Sequence, residues 1–446
     1  MTAEIAVMNK QAIALAADSA VTFGRETEQK IFTSASKIFT LSKYEPVGLM
    51  IYGDANLMEV PWETIVKVYR NTLDQKTFPT VGDYATDFFS FVAEKEQLFS
   101  DDEQNSYVEH YIYSYFRLIA NEITEHVEQI MKENKEIGDT GTRKITSLTI
   151  KDHFEKWKEA ELSCSIPEDF TGALRQKYKN LISNAKKEIF ENLPLTQSSS
   201  RQLTEIAVNL FTKFPTGISP PNTSGIVIAG FGTEDTFPVL ESFSVEVKIG
   251  NYLKYRKNEE ECASIGFETS AVIRPFAQRE MVLTFMTGVA PDYQRTIITD
   301  MNDLCIFYPQ VLVDNIDCLN QEDKENLKQQ LKEVGQKEFE KYRKKLSEYR
   351  IDNFINPVME VVQGLPKDEL AAMAESLINL TSFKRRVSME EETVAEPIDV
   401  AVISKGDGFI WIKRKHYFER ELNQQFFENY YKEANTNDTK TTEKAD

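Results

Sequence analysis

Three residues near the start of the chain have types that can do chemistry if the fold brings them together. One is a threonine at position 2. The others are an Asp-Ser pair, Asp18 and Ser19, that follows the small residues Ala16 and Ala17. A threonine hydroxyl is a weak nucleophile and acts only with a base in hydrogen-bond reach; an aspartate can balance a cation or close a turn. In "MTAEIAVMNKQAIALAADSAVTF", Ile5 and Val7, then Ile13 and Leu15, flank a polar centre of Asn9, Lys10 and Gln11. That pattern predicts two short strands joined by a turn, with Thr2 at the edge of a buried hairpin. The other reactive side chains are dispersed. The histidines (His110, His126, His153, His416) share no metal-ligand spacing, and the cysteines (Cys164, Cys262, Cys305, Cys318) form no ligand-like pair. Reduced, mostly buried thiols in a cytoplasmic protein are expected, with neither a disulfide framework nor a zinc site.

Bulk properties narrow the classes. The chain has 446 residues, 41% hydrophobic and 28% charged, which predicts a folded, water-soluble protein with length for two or three domains. Its formal net charge of -19 would repel a phosphate backbone, so no nucleic-acid partner is expected. No apolar run approaches the roughly 18 residues that span a bilayer, and no basic region with a long apolar core opens the chain, so neither a membrane partner nor a secretory signal is expected. There is no G-x-x-x-x-G-K-[ST] phosphate loop; any ATP-driven step would belong to another chain, and no cofactor is implied.

The elements that must position these residues follow from periodicity. Residues 1 to about 54 read as strands, with runs such as "SKIFTL" and "VGLMIYG"; 56–74 has helical spacing at Val60, Ile65, Val68 and Tyr69. A long charged stretch from about 80 to 213 contains a helical stripe of Leu174, Tyr178, Leu181, Ala185 and Ile189. "FPTGISPPNTSG" (214–225) breaks the chain. "GIVIAGFG" reads as a strand buried on both faces, and "ESFSVEV" alternates with Phe243, Val245 and Val247 on one face. Helix is expected again over 268–290. Residues 322–350 form one charged helix with a narrow seam of Leu327, Leu331 and Val334, continued by Phe339, Tyr342, Leu346 and Tyr349; that seam fits a solvated helix with one packed face, or a partner-binding helix. A helix over 367–383 precedes two strands, "IDVAVIS" and "GFIWIKR", joined by a "GDG" turn; a last helix holds "YFERELNQQFFENYYKEA", and the polar end reads as disordered. Trp62 and Trp411 read as packing residues. The order is strands, helix, strands, helix, strands, an α+β pattern of stacked sheets with helices outside.

Within that organisation, "TAEIAVMNKQAIALAADSAVT", "SKIFTL" and "GLMIYGD" resemble the opening of a proteasome β-type subunit, an N-terminal-nucleophile (Ntn) hydrolase. In that family a threonine opens the first strand of the mature chain, an aspartate lies in an "AADSR-T"-like turn after the second, a lysine precedes an apolar strand and a glycine ends the next. The matching positions here are Thr2, Asp18, Lys37 and Gly53. The Thr2 to Asp18 spacing agrees without a gap; the turn on to Lys37 is a few residues longer. "IDVAVISKGDGFIWIKR" resembles the family's last hairpin. The resemblance covers the first 70 residues and parts of 223–290 and 367–434. It implies a four-layer αββα sandwich with core pieces at 1–79, 216–300 and 366–434, helical insertions at 80–215 and 301–365, and a tail at 435–446.

What the resemblance implies for activity is a threonine-type peptidase or amidase acting on a polypeptide or other amide. Removal of Met1 would free the Thr2 α-amine, whose unperturbed pKa of about 7.7–8.0 suits a base. Lys37 would lower the amine and hydroxyl pKa values, Asp18 would balance Lys37, and the Gly53 N–H would face the oxyanion, where one donor is typically worth about 2.7–4 kcal/mol. The family's substrate pocket falls on Val21, Ala35, Phe39 and Ile51, all apolar. Cleavage after medium-sized apolar residues is therefore expected, since a buried unpaired charge is expensive. A homo-oligomer and a separate ATPase partner both stay open.

The supporting residues depart from the family. Its "GSG"-like loop meets "ASIGFETSA", where Ser264 and Ser270 are both candidates; Ser19 is a further supporting candidate. Before the last hairpin stands "EETVAEP": Glu391 takes the family's aspartate position, Val394 its serine position, and Ala395-Glu396 its two glycines. Glu391 or Glu392 could substitute for the aspartate, or both could be a solvated acidic run. Singly, Asp18 is a turn residue, Lys37 a strand-edge lysine and Gly53 a turn glycine. The alternative reading is a catalytically silent protein of the same fold that binds partners through its helical insertions.

Overall fold

The computed structural model describes residues 3–23, 30–32, 35–132, 138–215, 223–388, 396–425 and 428. Thr2, Glu391, Glu392, Val394 and Ala395 lie outside the described residues, as do 216–222 and the polar C-terminal end.

The chain opens with an antiparallel pair, β1 (Ala3–Asn9) and β2 (Ile13–Ala17). Each alternates between two buried faces. Ile5, Val7, Ala14 and Ala16 share one, and Ala6, Met8, Ile13 and Leu15 share the other. The polar turn closes on itself, Gln11 N donating to Asn9 Oδ1 at 2.9 Å. A hairpin of β3 (Val21–Phe23) and β4 (Lys30–Phe32) follows, then β5 (Ile38–Thr40) and β6 (Val47–Gly53). Helix α1 (Trp62–Leu73) comes next, and α2 (Val81–Glu94) starts at a capping box of Thr80 and Asp83. The charged stretch folds as α3 (Asp101–Lys132), α4 (Asp139–Glu159), α5 (Phe170–Lys177), α6 (Lys179–Ile189) and α7 (Gln197–Asn209). The stripe from Leu174 to Ile189 therefore runs over two helices that meet at Tyr178.

Strands resume as β7 (Ser224–Gly230), β8 (Val239–Ile249), β9 (Tyr252–Lys257) and β10 (Ala271–Ala277). The last corrects the helix expected over 268–290. Its side chains alternate with period two, Ala271 and Ile273 toward one core, Val272 and Phe276 toward the other. Pro275 is tolerated because β10 is an edge strand, where a missing N–H breaks no ladder. Helix begins only at α8 (Glu280–Thr287). There follow α9 (Pro291–Asn302), a π-helical turn at Asp303–Phe307, α10 (Tyr308–Asp314), the single charged helix α11 (Gln321–Arg350), α12 (Asn356–Val362) and α13 (Lys367–Val387). The closing hairpin is β11 (Asp399–Ser404) and β12 (Gly408–Lys413). Of the last expected helix, residues 417–423 hold only a 3-10 turn at Arg420–Leu422, and most of the rest lies outside the described residues.

The sheets are antiparallel. One runs β10-β1-β2-β11-β12; the other runs β9-β8-β7-β6-β5, with the two-residue strand Ala263–Ser264 added on β8. Met8 and Leu15 of the first sheet share an apolar core with Met50 and Val227 of the second. The outer face of the first sheet packs on α13 through Leu370, Ala374 and Leu377. The outer face of the second packs on α1, α2 and the first helical stretch through Trp62, Phe88, Ile112 and Trp157. No described helix is long and apolar enough to cross a membrane. None of the four cysteines is buried, contrary to expectation: Cys164 and Cys318 are exposed and Cys262 and Cys305 half-buried. Cys164 and Cys262 fall in turns at the edge of the second sheet, where Ser242 N donates to Cys262 Sγ at 3.4 Å, and Cys305 and Cys318 fall in the thinly packed helical stretch after α9.

Candidate active site

Asp18 begins where β2 ends. The β1–β2 ladder runs on into it: Asp18 N donates to Ala3 O at 3.1 Å, and Ala3 N donates to Asp18 Oδ1 at 2.9 Å. The other oxygen, Oδ2, accepts the Ala20 N–H at 2.9 Å, a local turn that fixes the carboxylate plane. Lys37 Nζ donates to Asp18 Oδ1 at 2.6 Å and lies 3.3 Å from Glu4 Oε1. All three side chains are buried. Lys37 is held from behind by its own backbone, since Ile51 N donates to Lys37 O at 2.9 Å and so ties the residue before β5 to β6. Ala35 N donates to Ser19 O at 3.3 Å, linking the same segment to the Asp18 corner. A buried ammonium without partners would be expelled or neutralised; two carboxylates and a rigid frame keep it in place.

A second charged group adjoins the first. In register across the sheet, Glu4 lies opposite Ala17, and Ala17 opposite Asp399. Asp399 Oδ2 accepts from Lys415 Nζ at 2.8 Å, and Lys415 Nζ also donates to Ser19 Oγ at 2.6 Å. Ser19 Oγ in turn donates to the Pro397 carbonyl. Burial pushes the Lys415 ammonium below the usual lysine range; Asp399 opposes that shift, and the charge of Lys37 adds to it. The cluster holds three carboxylates (Glu4, Asp18, Asp399) and two ammoniums (Lys37, Lys415), a formal balance of 2 − 3 = −1 with all five ionised.

Gly53 ends β6, two residues beyond the one bonded to Lys37. Its φ of +77° is left-handed, and a Cβ there would fall 2.6 Å from Thr223 O, so only glycine fits. Next to it, burial raises the Asp54 carboxyl above its ordinary range. On the other edge of β1, Ala277, the register partner of Ala3, also holds a left-handed φ of 53°, a strained value for a residue with a Cβ.

The structure thus brings Asp18, Ser19 and Lys37 together and sets Gly53 on the strand bonded to Lys37. Thr2 and Glu391 lie outside the described residues; the covalent neighbour of Thr2, Ala3, donates its N–H to Asp18. Ser264 is exposed on the second sheet's edge, and Ser270 immediately precedes β10. Of the apolar set, Phe39 and Ile51 are buried in the core under α1, while Val21 and Ala35 are partly exposed. Three site residues escaped sequence reasoning. Glu4 carried a signal: in "AEIAVMN" it falls on the face of Ala6 and Met8, where a carboxylate needs a partner. Asp399 was hidden in the apolar run of "IDVAVIS", and Lys415 in the basic run that ends the last strand. No protein-family model matches the chain, and no curated protein matches it.

Proposed function

We propose that this chain is a threonine-type N-terminal-nucleophile hydrolase that cleaves peptide or other amide bonds through an acyl-enzyme on Thr2. The observation that carries the reading is the Asp18–Lys37 pair: one Asp18 oxygen takes both the Lys37 ammonium and the N–H of the peptide bond that joins Thr2 to Ala3. The pair is buried against Ala3, the residue that follows the proposed nucleophile in the sequence. The freed α-amine of Thr2 acts as base, Lys37 supplies positive potential that favours the alkoxide, and the Gly53 N–H serves the oxyanion. The facing sheets with helices on both outer sides support an αββα sandwich.

The test is intact mass after treatment with a peptide epoxyketone, on protein whose chain starts at Thr2. One adduct, mapped to Thr2 and absent from Thr2→Ala, is expected. Lack of an adduct, or an adduct that persists in Thr2→Ala, overturns the reading.

A further inference from the structure

The hydrogen bonds around Ser19 play no part in the chemistry proposed above, yet they converge on the same corner of backbone. Ser19 follows Asp18 directly, and Ala20, the next residue, is the one whose N–H the Asp18 carboxylate takes. Asp18 is therefore aimed from two sides: by its own turn, and by whatever holds Ser19. What holds Ser19 comes from the far end of the chain. The Lys415–Ser19 contact joins residues 396 apart in sequence, and the Pro397 carbonyl that accepts from Ser19 lies two residues before Asp399. Asp399 fixes both ends of Lys415, accepting its backbone N–H on Oδ1 at 2.8 Å and its ammonium on Oδ2.

We propose that Lys415 is a positioning residue of the candidate site: through Ser19 and Asp399 it holds the Asp18–Ala20 corner in the geometry that lets one Asp18 oxygen take both the Ala3 N–H and the Lys37 ammonium. A serine–carbonyl bond alone would close this corner. Ordering and burying a lysine here sacrifices side-chain entropy and hydration, which a merely structural tie does not require. The charged groups that face it define its surroundings. Asp399 of β11 and Asp18 after β2 are opposite in sign, and Lys37 before β5 is like in sign. On the outer side Glu375 of α13, Glu396, Lys413 and Arg414 line, together with Lys415, an open recess of about 600 Å³. The consequence for reactivity rests on the proposed function: a second ammonium beside Lys37 further disfavours the protonated form of a nearby amine base.

Two readouts test this on protein starting at Thr2, in wild type, Lys415→Met and Lys415→Arg. The first is amide exchange at Ala3 and Ala20, which reports the Asp18 hydrogen bonds whether or not the protein is an enzyme. The second is the pH profile of the epoxyketone labelling rate. Lys415→Met is expected to speed exchange at Ala3 and Ala20 by about tenfold or more relative to Ile226 of the second sheet, since bonds to a charged acceptor are released. It is also expected to move the acid limb of labelling to higher pH, because one neighbouring positive charge has gone. Lys415→Arg is expected to restore both toward wild type. Exchange at Ala3 and Ala20 that matches wild type in Lys415→Met overturns the positioning role. Faster exchange with no labelling in any form, wild type included, keeps the positioning role and overturns the hydrolase reading. Should Lys415→Met fail to fold, Ser19→Ala, which cuts the link and spares the Lys415–Asp399 pair, is read by amide exchange alone: faster exchange at Ala3 and Ala20 is expected, and exchange that matches wild type overturns the positioning role.

Discussion

Both helical insertions are long, highly charged and rich in aromatic side chains, yet only the first has a core. From α2 to α7, Phe88, Phe99, Tyr111, Phe116 and Trp157 are buried in one cluster with Phe243 and Val245 of the second sheet. Over residues 301–365, Val313, Gly335, Phe339 and Val362 are the only buried residues among those described, while Leu304 is 57% exposed, Phe307 62% and Tyr308 54%. Within the second insertion the helices meet by close backbone approach: a Cβ on Gly335 of α11 would fall 2.0 Å from Cys305 O in the π-helical turn. Its ion pairs, such as Arg343–Glu340, are exposed. Periodicity says that a helix has an apolar face; it does not say that anything covers that face. The first insertion is therefore coupled through a broad core to the sheet that carries Lys37's strand and Gly53, and the second meets the other sheet at its end, where Val362 packs with Ile5 and Val7.

The coupling is polar as well as apolar, and this yields the largest expected effect. Lys254 of β9 is buried against the first insertion, donating to Leu210 O at 2.9 Å and to Glu246, with the Phe214 ring 4.6 Å away. Burial pushes Lys254 down and Glu246 up, each partner opposing the shift of the other. Lys254→Met strands the Glu246 carboxylate and should lower stability by about 3–5 kcal/mol. Adding Glu246→Leu should recover most of that loss, because a packed apolar pair of similar size is close to neutral. Arg343→Ala in the second insertion should change it by no more than about 0.5 kcal/mol. Urea midpoints at constant m-value measure all three. A Lys254→Met loss as small as that of Arg343→Ala would remove the asymmetry between the insertions.

A smaller effect probes the same contrast inside the first insertion. Trp157 Nε1 donates to Tyr115 Oη at 2.7 Å, Tyr115 Oη lies 2.9 Å from His153 Nδ1, and His153 Nε2 lies 2.9 Å from Glu122 Oε2. The Glu122 carboxylate only accepts, which places the imidazole N–H on Nε2 and leaves Nδ1 to accept from the Tyr115 hydroxyl. His153→Leu leaves the buried Tyr115 hydroxyl without an acceptor, a loss of about 1–3 kcal/mol. Phe307→Ser on the second insertion should stay within about 0.5 kcal/mol, since nothing packs on that ring's exposed face. Equal losses from the two variants would show that the second insertion is as tightly built as the first.

These contrasts mark what the sequence could disclose. β1, β2, β7 and β11 were legible because both faces of each are buried, and β12 because its apolar run follows a glycine turn although Ile410 and Ile412 are exposed. The charged helix α11 was legible from its composition and seam, though Val334 and Tyr349 of that seam are exposed. β10 was misread because Pro275 and Arg274 interrupt its alternation and the residues after it are helical. Asp18, Lys37 and Gly53 stood out through a family resemblance, and their pairing is a matter of geometry that spacing alone does not give. Lys415 was illegible: its partner is at the opposite end of the chain, and three basic residues in a row offer no reason to choose one. Whether an apolar face is covered, the property that separates the two insertions, depends on tertiary neighbours that no local pattern contains.

The smallest effect belongs to the seam between the sheets, which neither insertion covers, and it separates core from attachment by pH rather than by size. Glu261 accepts from Tyr52 Oη and Ser242 Oγ, both at 2.7 Å, and pairs with Arg279. Burial by itself would raise its carboxyl, but the hydrogen bonds from Ser242 and Tyr52 and the charge of Arg279 outweigh burial and hold it below the ordinary range. A carboxyl whose folded pKa is depressed contributes stability above its unfolded value, about 4.3, and loses it as pH falls through the folded value. Wild-type stability should therefore drop between pH 5 and 3. Glu261→Gln should be less stable than wild type at pH 6–7, show a shallower decline below pH 5, and converge on wild type as pH falls through the depressed folded value. Phe307→Ser, which removes no titrating group, should run parallel to wild type throughout. Urea midpoints taken at each pH give the three curves; a Glu261→Gln curve parallel to wild type would mean that the hydrogen bonds on Glu261 do not set its proton affinity in the folded chain.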